Sequence, residues 1–280
     1  MKSKGIIPIN KPQGWTSFDV VNKIKHQVKP LKVGHLGTLD PMATGVLLVT
    51  VGKATKLFDL MQEKTKTYVA EFEFGYETDT LDATGEKINE TENIPTAEEI
   101  KAVLNDFVGE IYQIPPKYSA KSINGKRAYD LARNKVEFEL KPKKVTINRI
   151  QFINYENAKL TLEIECGSGT YIRAIGRDIA VKLESLATMT SLVRTKVSNF
   201  NLENCFEIQV PYYAENVIPI NSLLDYPEIK LDNESRTKLL NGLKIKTDLA
   251  DGLYKLNDET DTIAIVKICD FYAKMHIFLS

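Results

Sequence analysis

The sequence predicts an α+β fold: a mixed, mainly antiparallel sheet flanked by helices, with a small β domain at the C-terminal end. Three observations predict it. Strand-like and helix-like segments are intermixed without the regular βαβ rhythm of a parallel sheet. The stretch KTYVAEFEFG from Lys66 alternates apolar and polar side chains, as a half-buried strand does. Beyond about residue 205 the texture changes to short apolar pieces separated by turn signals. The expected division is a main domain over residues 1–210 and a small β domain over 225–280, with a linker between Val210 and Leu224, where Pro211 and Pro219 fall.

Taken in order, GIIPINKP opens as a short apolar strand. After a Pro/Gly turn a helix begins near Ser17, capped by Thr16 or Ser17, with Phe18, Val21, Ile24 and Val28 on one face. The next seventeen residues, KPLKVGHLGTLDPMATG, hold three glycines and two prolines without periodicity and read as a loop before the buried strand VLLVTV. So long a loop inside a compact domain is more often functional than idle. The strand from Lys66 turns Tyr68, Ala70, Phe72 and Phe74 to one side and Glu71 and Glu73 to the other. YETDTLDATGEKINETENIP is expected as a surface excursion, and TAEEIKAVLNDFVG as a helix capped by Thr96 with Ile100, Val103, Leu104 and Phe107 inward. A Pro-rich, basic and aromatic stretch, IPPKYSAKSINGKRAYDLAR, precedes KVTINRIQFINYE and KLTLEIECG, which read as an antiparallel pair of strands. Gly167-Ser168-Gly169 breaks the chain before a helix with Ile172, Ile175, Ile179 and Leu183 on one face. LLNGLKI, GLYKL, TIAIVKI and AKMHIFL are the strands expected of an all-β appendage.

At 280 residues, with 43% hydrophobic and 26% charged, this is an ordinary globular chain without disordered or fibrous bias. No apolar run approaches a membrane span, and the N-terminal apolar stretch is too short for a secretory signal, so a cytoplasmic location is expected. Cys166, Cys205 and Cys269 show no CxxC spacing, which argues against a disulfide framework or zinc knuckle and for small core residues. The zero net charge argues against nonspecific coating of nucleic acid, but charge is segregated. Residues 1–70 hold eleven basic and four acidic residues, 71–110 two and twelve, 111–200 sixteen and eight, and 201–280 eight and thirteen. Two basic blocks can converge on a polyanion, although solvated faces fit the same counts.

Gly34-His35-Leu36-Gly37-Thr38-Leu39-Asp40-Pro41 is the richest candidate for chemistry. Asp40 precedes a proline, which biases it away from helix, and the nearby glycines permit close backbone approach to a ligand. Its carboxylate fits a nucleophile, a general base, a metal ligand or simply a turn residue. A metal site is disfavoured, because His35 and Asp40 supply two ligands while His26 and His276 sit in unrelated contexts. DTLDATGE bears a superficial likeness to a calcium loop but lacks its acidic spacing, and neither a phosphate-binding loop nor a Ser-His-Asp or Cys-His set is present. The second candidate is Arg173, in the first turn of the helix that follows Gly169-Thr170-Tyr171. The helix dipole disfavours a cation there, so a carboxylate or phosphate partner would explain it, although an exposed arginine is the plainer reading. If Asp40 is that partner, the arginine lowers its pKa and keeps it ionised.

Asn10-Lys11-Pro12-Gln13-Gly14, the block from Gly34 to Leu47, Lys66-Thr67-Tyr68 and Gly169-Thr170-Tyr171-Ile172-Arg173 occur in one order. With Ile114-Pro115-Pro116-Lys117-Tyr118-Ser119-Ala120 and Leu192-Val193-Arg194, they closely resemble the bacterial TruB tRNA pseudouridine-55 synthases, from about residue 5 to 200. The resemblance implies a pseudouridine synthase fold with a PUA-like C-terminal domain, and an isomerase that detaches uracil from ribose and rejoins it through C5. It implies no metal, no organic cofactor and the T-arm of tRNA as partner; no membrane association and a monomer are expected beside it. Asp40 matches the catalytic aspartate, Tyr68 the aromatic that stacks on the flipped base, Arg173 the arginine paired with the aspartate, and Leu192 an apolar residue of the pocket. Tyr171 is placed in the same substrate site, and His35 matches the histidine that fills the space left in the RNA loop. A noncatalytic RNA-binding or tRNA-chaperone module on this fold, or a synthase with another RNA target, is the alternative.

Overall fold

The computed structural model describes residues 4–62, 65–119, 121–123, 125–134, 136–208, 216–259 and 261–279. Val210 and Pro211 of the expected linker, and Ala120 of the Pro-rich motif, lie outside them. In chain order the first half contains β1 (Gly5–Lys11), α1 (Ser17–Val28), β2 (Val33–Leu36), β3 (Thr44–Val51), α2 (Phe58–Gln62), β4 (Lys66–Phe74), β5 (Tyr76–Thr78), β6 (Lys87–Glu90), α3 (Ala97–Leu104) and β7 (Gly109–Gln113). There follow β8 (Ser122–Ile123), β9 (Lys126–Arg127), α4 (Ala128–Arg133), β10 (Lys143–Glu156), β11 (Lys159–Cys166), α5 (Ile172–Lys182), β12 (Ala187–Val197), β13 (Phe200–Asn201) and β14 (Phe206–Glu207). The last are α6 (Asn233–Leu240), β15 (Ile245–Lys246), β16 (Gly252–Asn257), β17 (Thr262–Cys269) and β18 (Tyr272–Phe278).

A ten-stranded sheet runs β14-β1-β3-β12-β4-β11-β10-β7, with β2 added to β3 and β13 to β12. Its pairings are antiparallel except β1 with β14 and β3 with β12, so it is the mixed, mainly antiparallel sheet expected. The parallel contact places β12 between β3, which follows the Asp40 loop, and β4, which carries Tyr68. Gly45 makes that approach possible. Its φ is +101°, and a Cβ there would lie 2.3 Å from the Arg194 carbonyl oxygen.

The helices form where local chemistry starts them. Thr16 and Asp19 close a capping box on α1, as do Thr96 and Glu99 on α3. α5 presses on β4 at Gly176, where a Cβ would come within 2.2 Å of the Phe72 ring. Ile24, Leu47, Phe72, Ile164 and Ile175 belong to one core between the sheet and these helices.

The sequence reading errs in five places. Phe18 is exposed and Val20 is buried in its stead, because the helical face passes through Ser17, Val20, Val21, Ile24 and Val28. The long loop contains β2, which only its pairing with β3 defines. The surface excursion returns inward at Asp82, which is 4% exposed. Cys269 is exposed rather than a core residue. The C-terminal segment is not all-β. Its four-stranded sheet, β15-β18-β17-β16, carries α6, capped by Asp232. Ile265 and Leu279 of that segment share an apolar cluster with Ile6, Leu36, Val46 and Leu48 of the large sheet.

Candidate active site

Asp40 stands on the loop between β2 and β3, and local bonds fix that loop closely. The Asp40 carbonyl accepts from the Ala43 N–H at 3.0 Å, and the Pro41 carbonyl from the Gly14 N–H at 2.8 Å. Buried Ser17 accepts from the Leu39 N–H at 2.9 Å and donates to its carbonyl at 3.2 Å. Lys11, itself fully buried, donates to the carbonyls of Pro12 at 2.9 Å, Trp15 at 2.7 Å and Pro41 at 3.4 Å. Burial lowers the Lys11 pKa to about 8, against the pull of Asp40.

Arg173 reaches this loop from the first turn of α5. Its Nε lies 3.0 Å from Asp40 Oδ2 and its Nη1 3.2 Å from Asp82 Oδ2, so one guanidinium bridges two carboxylates. Nη1 also donates to the Thr80 carbonyl at 2.8 Å and Nη2 to that of Tyr118 at 3.1 Å. α5 has no side-chain cap. Instead Gln113, 1% exposed on β7, holds the N-cap residue: Tyr171 N–H donates to Gln113 Oε1 at 2.8 Å, and Gln113 Nε2 donates to the Tyr171 carbonyl at 3.1 Å.

The stretch that bears a likeness to a calcium loop is what builds Asp82 into the site. Asp82 Oδ1 accepts from Thr80 Oγ1 at 2.9 Å, Thr84 N at 3.0 Å and Thr84 Oγ1 at 2.5 Å, while Oδ2 faces Arg173. Ala83 N–H donates to the Met189 carbonyl at 2.9 Å, which pins the turn to β12. Leu81 is held at φ +63°, a conformation a branched side chain adopts only where its surroundings impose it.

A cleft of about 630 Å³ opens above these groups, lined by Asp40, Tyr68, Tyr171, Arg173 and Leu192 together with Asp82, Lys66 and Arg194. Five of the six site residues read from the sequence are thus brought to one place. Tyr68 is 7% exposed and lies across the ladder from Arg194. Burial raises its phenol pKa, and the Arg194 charge opposes that shift. The Asp40 carboxyl is about one-third exposed, and its pKa is raised by burial; Arg173 pulls it down, Asp82 pushes it up and Lys11 pulls it down. The direction opposes the sequence expectation, because Arg173 divides its charge between two carboxylates and desolvation outweighs it.

His35 is the exception. It sits on β2 opposite Val49, half-buried and outside the cleft lining, with Nδ1 buried and unbonded. Burial lowers its pKa, and the charge of Arg194 adds to the effect. The sequence reading missed Asp82, Gln113 and the placement of Arg194. The Thr and Asp density around Asp82 was a usable turn signal, and strand alternation with Leu192 points Arg194 inward, but nothing local marks Gln113. Among the described residues one grouping, Asp251, Cys269 and Asp270, brings metal-ligand atoms together; it is exposed where β16 begins and β17 turns into β18, away from the cleft lining. No helix among the described residues is long and apolar enough to cross a membrane.

The model of the TruB family pseudouridylate synthase N-terminal domain matches residues 24–172. A tRNA pseudouridine synthase B of Clostridium kluyveri is 41% identical over 283 residues, covering 97% of this chain and 98% of the relative. One from Borreliella afzelii is 40% identical over 282 residues, covering 98% and 99%. Among solved structures, one of an H/ACA RNP bound to a substrate RNA containing 2′-deoxyuridine superposes with a TM-score of 0.72 at 19% identity, over 99% of this chain and 85% of that one. An archaeal box H/ACA sRNP Nop10–Cbf5 complex superposes with 0.73 at 20% identity, over 100% and 87%. At these identities the structural likeness speaks to the fold.

Proposed function

The chain belongs to the TruB family of pseudouridylate synthases, and on that premise we propose that it acts on uridine 55 in the T-loop of tRNA, with Asp40 as the catalytic group. It is a tRNA pseudouridine synthase, which exchanges the C1′–N1 bond of uridine for a C1′–C5 bond within one nucleotide. A base inside a folded T-loop hides its glycosidic bond, so the nucleotide is flipped into the cleft at a cost of a few kcal/mol. Tyr68, on a central strand, receives the uracil face and offsets part of that cost, with Leu192 and Tyr171 closing around it. Arg173 holds the Asp40 carboxylate toward the nucleotide, and Asp82 fixes Arg173 from behind. The ionised carboxylate acts on the ribose or the base. His35, outside the cleft lining, is assigned to the RNA loop rather than to the extruded base.

The observation that supports this reading most directly is the 3.0 Å ion pair between Arg173 and Asp40 on the wall of a cleft that Tyr68 also lines. The proposal includes residues 1–210 as the catalytic unit, residues 225–280 as a PUA-like unit touching the RNA, and a monomer working in the cytoplasm. The test is selective chemical labelling of pseudouridine after incubating purified protein with a tRNA transcript. Label is expected at the T-loop uridine, and Asp40→Asn is expected to lower turnover at least about 1,000-fold while tRNA affinity stays within about threefold. Undiminished turnover in that variant would refute the assignment of Asp40, and label at another uridine would move the target.

A further inference from the structure

Arg194 takes no part in the mechanism just described, yet it occupies the centre of the site. It lies on β12 between β3 and β4, opposite Gly45 on one side and Tyr68 on the other. It is 1% exposed, and among the described residues no carboxylate lies within ion-pair distance of it. A buried guanidinium in that position persists only if its N–H groups are satisfied otherwise.

Three of them go to main-chain carbonyls: Nε to Val46 at 2.7 Å, Nη2 to Gly37 at 3.2 Å and Nη1 to Thr38 at 3.4 Å. Tyr68 is the ladder partner of Arg194 on β4, and the guanidinium's charge opposes the rise that burial imposes on the tyrosine's phenol pKa. Gly37, Thr38 and Val46 bracket Asp40 in the chain, so a single rigid, planar group ties both ends of the catalytic loop. Ser17 and Lys11 hold the middle of that loop from the α1 side. Aliphatic packing would suffice if the position served the core alone. We propose that Arg194 is a positioning residue of the isomerisation, setting the separation between the Asp40 carboxylate and the Tyr68 ring by pinning the loop to the strand opposite Tyr68. This inference rests on the assignment of Asp40 and Tyr68 made above.

Arg194→Lys separates positioning from packing, because it keeps the charge and loses the fork that spans three carbonyls. The full chain is assayed for single-turnover conversion of a tRNA transcript and for equilibrium tRNA binding, alongside Asp40→Asn. The expected result is a folded protein by circular dichroism, tRNA affinity within about threefold of the parent, and a rate about 100-fold lower. Arg194→Gln, neutral and with two donors, is expected to behave likewise. A rate within about threefold of the parent in Arg194→Lys overturns the proposal, as does a loss of affinity equal to the loss of rate. Failure of both variants to fold also overturns it, since Arg194 is then a stability residue only. If Asp40→Asn stays active, the carboxylate assignment has failed; an inactive Asp40→Asn beside a fully active Arg194→Lys defeats this inference alone.

Discussion

Asp40 titrates against several influences at once: burial pushes its pKa above the ordinary 3.8, Arg173 and Lys11 pull it down, and Asp82 raises it again. If Asp40 acts in its ionised form, as proposed above, turnover is expected to fall as pH drops and to begin falling above the pH at which a free aspartate protonates. Asp82→Asn removes one raising influence and leaves Arg173 to Asp40 alone, so the acid limb of the single-turnover pH profile is expected to move to lower pH. An unmoved limb would show that Asp82 does not act through Asp40. The same shift has a consequence for stability. A native pKa above the unfolded value means the native state binds the proton more tightly, so stability falls as pH rises from 3.8 through the raised value. At neutral pH the ionised carboxylate is therefore a net cost, and Asp40→Asn is expected to raise the thermal unfolding midpoint while abolishing turnover. Lys11, lowered from 10.5 to about 8, shifts downward instead: between those values only the unfolded state holds the proton, so its contribution makes stability rise with pH. The residue types were legible in the sequence because chemistry needs few of them. The sign of the Asp40 shift was not, because burial and the sharing of Arg173 exist only in three dimensions.

Among the elements, α1 and α3 were readable because their start signals are local, a threonine with an acidic residue three positions on. α5 was readable from its apolar face but not in how it begins, since Gln113 lies 58 residues away in the chain. Gln113→Met leaves the Tyr171 amide and carbonyl without their partners and is expected to cost about 2 kcal/mol in urea denaturation. It is expected to slow turnover as well, because Arg173 loses the fixed helix start beneath it. A loss below about 0.5 kcal/mol would mean that water replaces the amide. Gly176→Ala forces a methyl against Phe72, and a loss of about 1–3 kcal/mol is expected, with urea midpoints as the measure. β2 escaped sequence reading because its strand character comes from β3, and α6 because its sequence, NESRTKLL, has too few apolar residues to show a face.

At the scale of the whole molecule, the two sheets are not independent. Ile6 exchanges backbone hydrogen bonds with Ile218 at 2.8 and 3.0 Å, and Ile220, Leu223 and Leu224 pack with Ile265 and Leu279 over the large sheet. Truncation that removes residues 216–280 uncovers Ile6, Leu36, Val46 and Leu48, which are 0–3% exposed. At about 1.5–3 kcal/mol for each side chain fully uncovered, the shortened chain is expected to lose several kcal/mol and to bind a hydrophobic dye that the full chain excludes. An unchanged unfolding midpoint would make the C-terminal segment a passenger. The change of texture near residue 205 signalled a second sheet, but the shared apolar cluster carries no local mark in the sequence. The position of β12 between the strand after Asp40 and the strand bearing Tyr68 also sets a clock. A ribosome that has delivered the chain only to residue 186 has already made Asp40, Tyr68, Asp82 and Arg173, yet the strand that spaces them is still unmade. The enzyme is therefore expected to switch on late in its own translation: a chain ended at residue 186 is expected to leave a tRNA transcript unmodified, and conversion by that chain would show that β12 is dispensable.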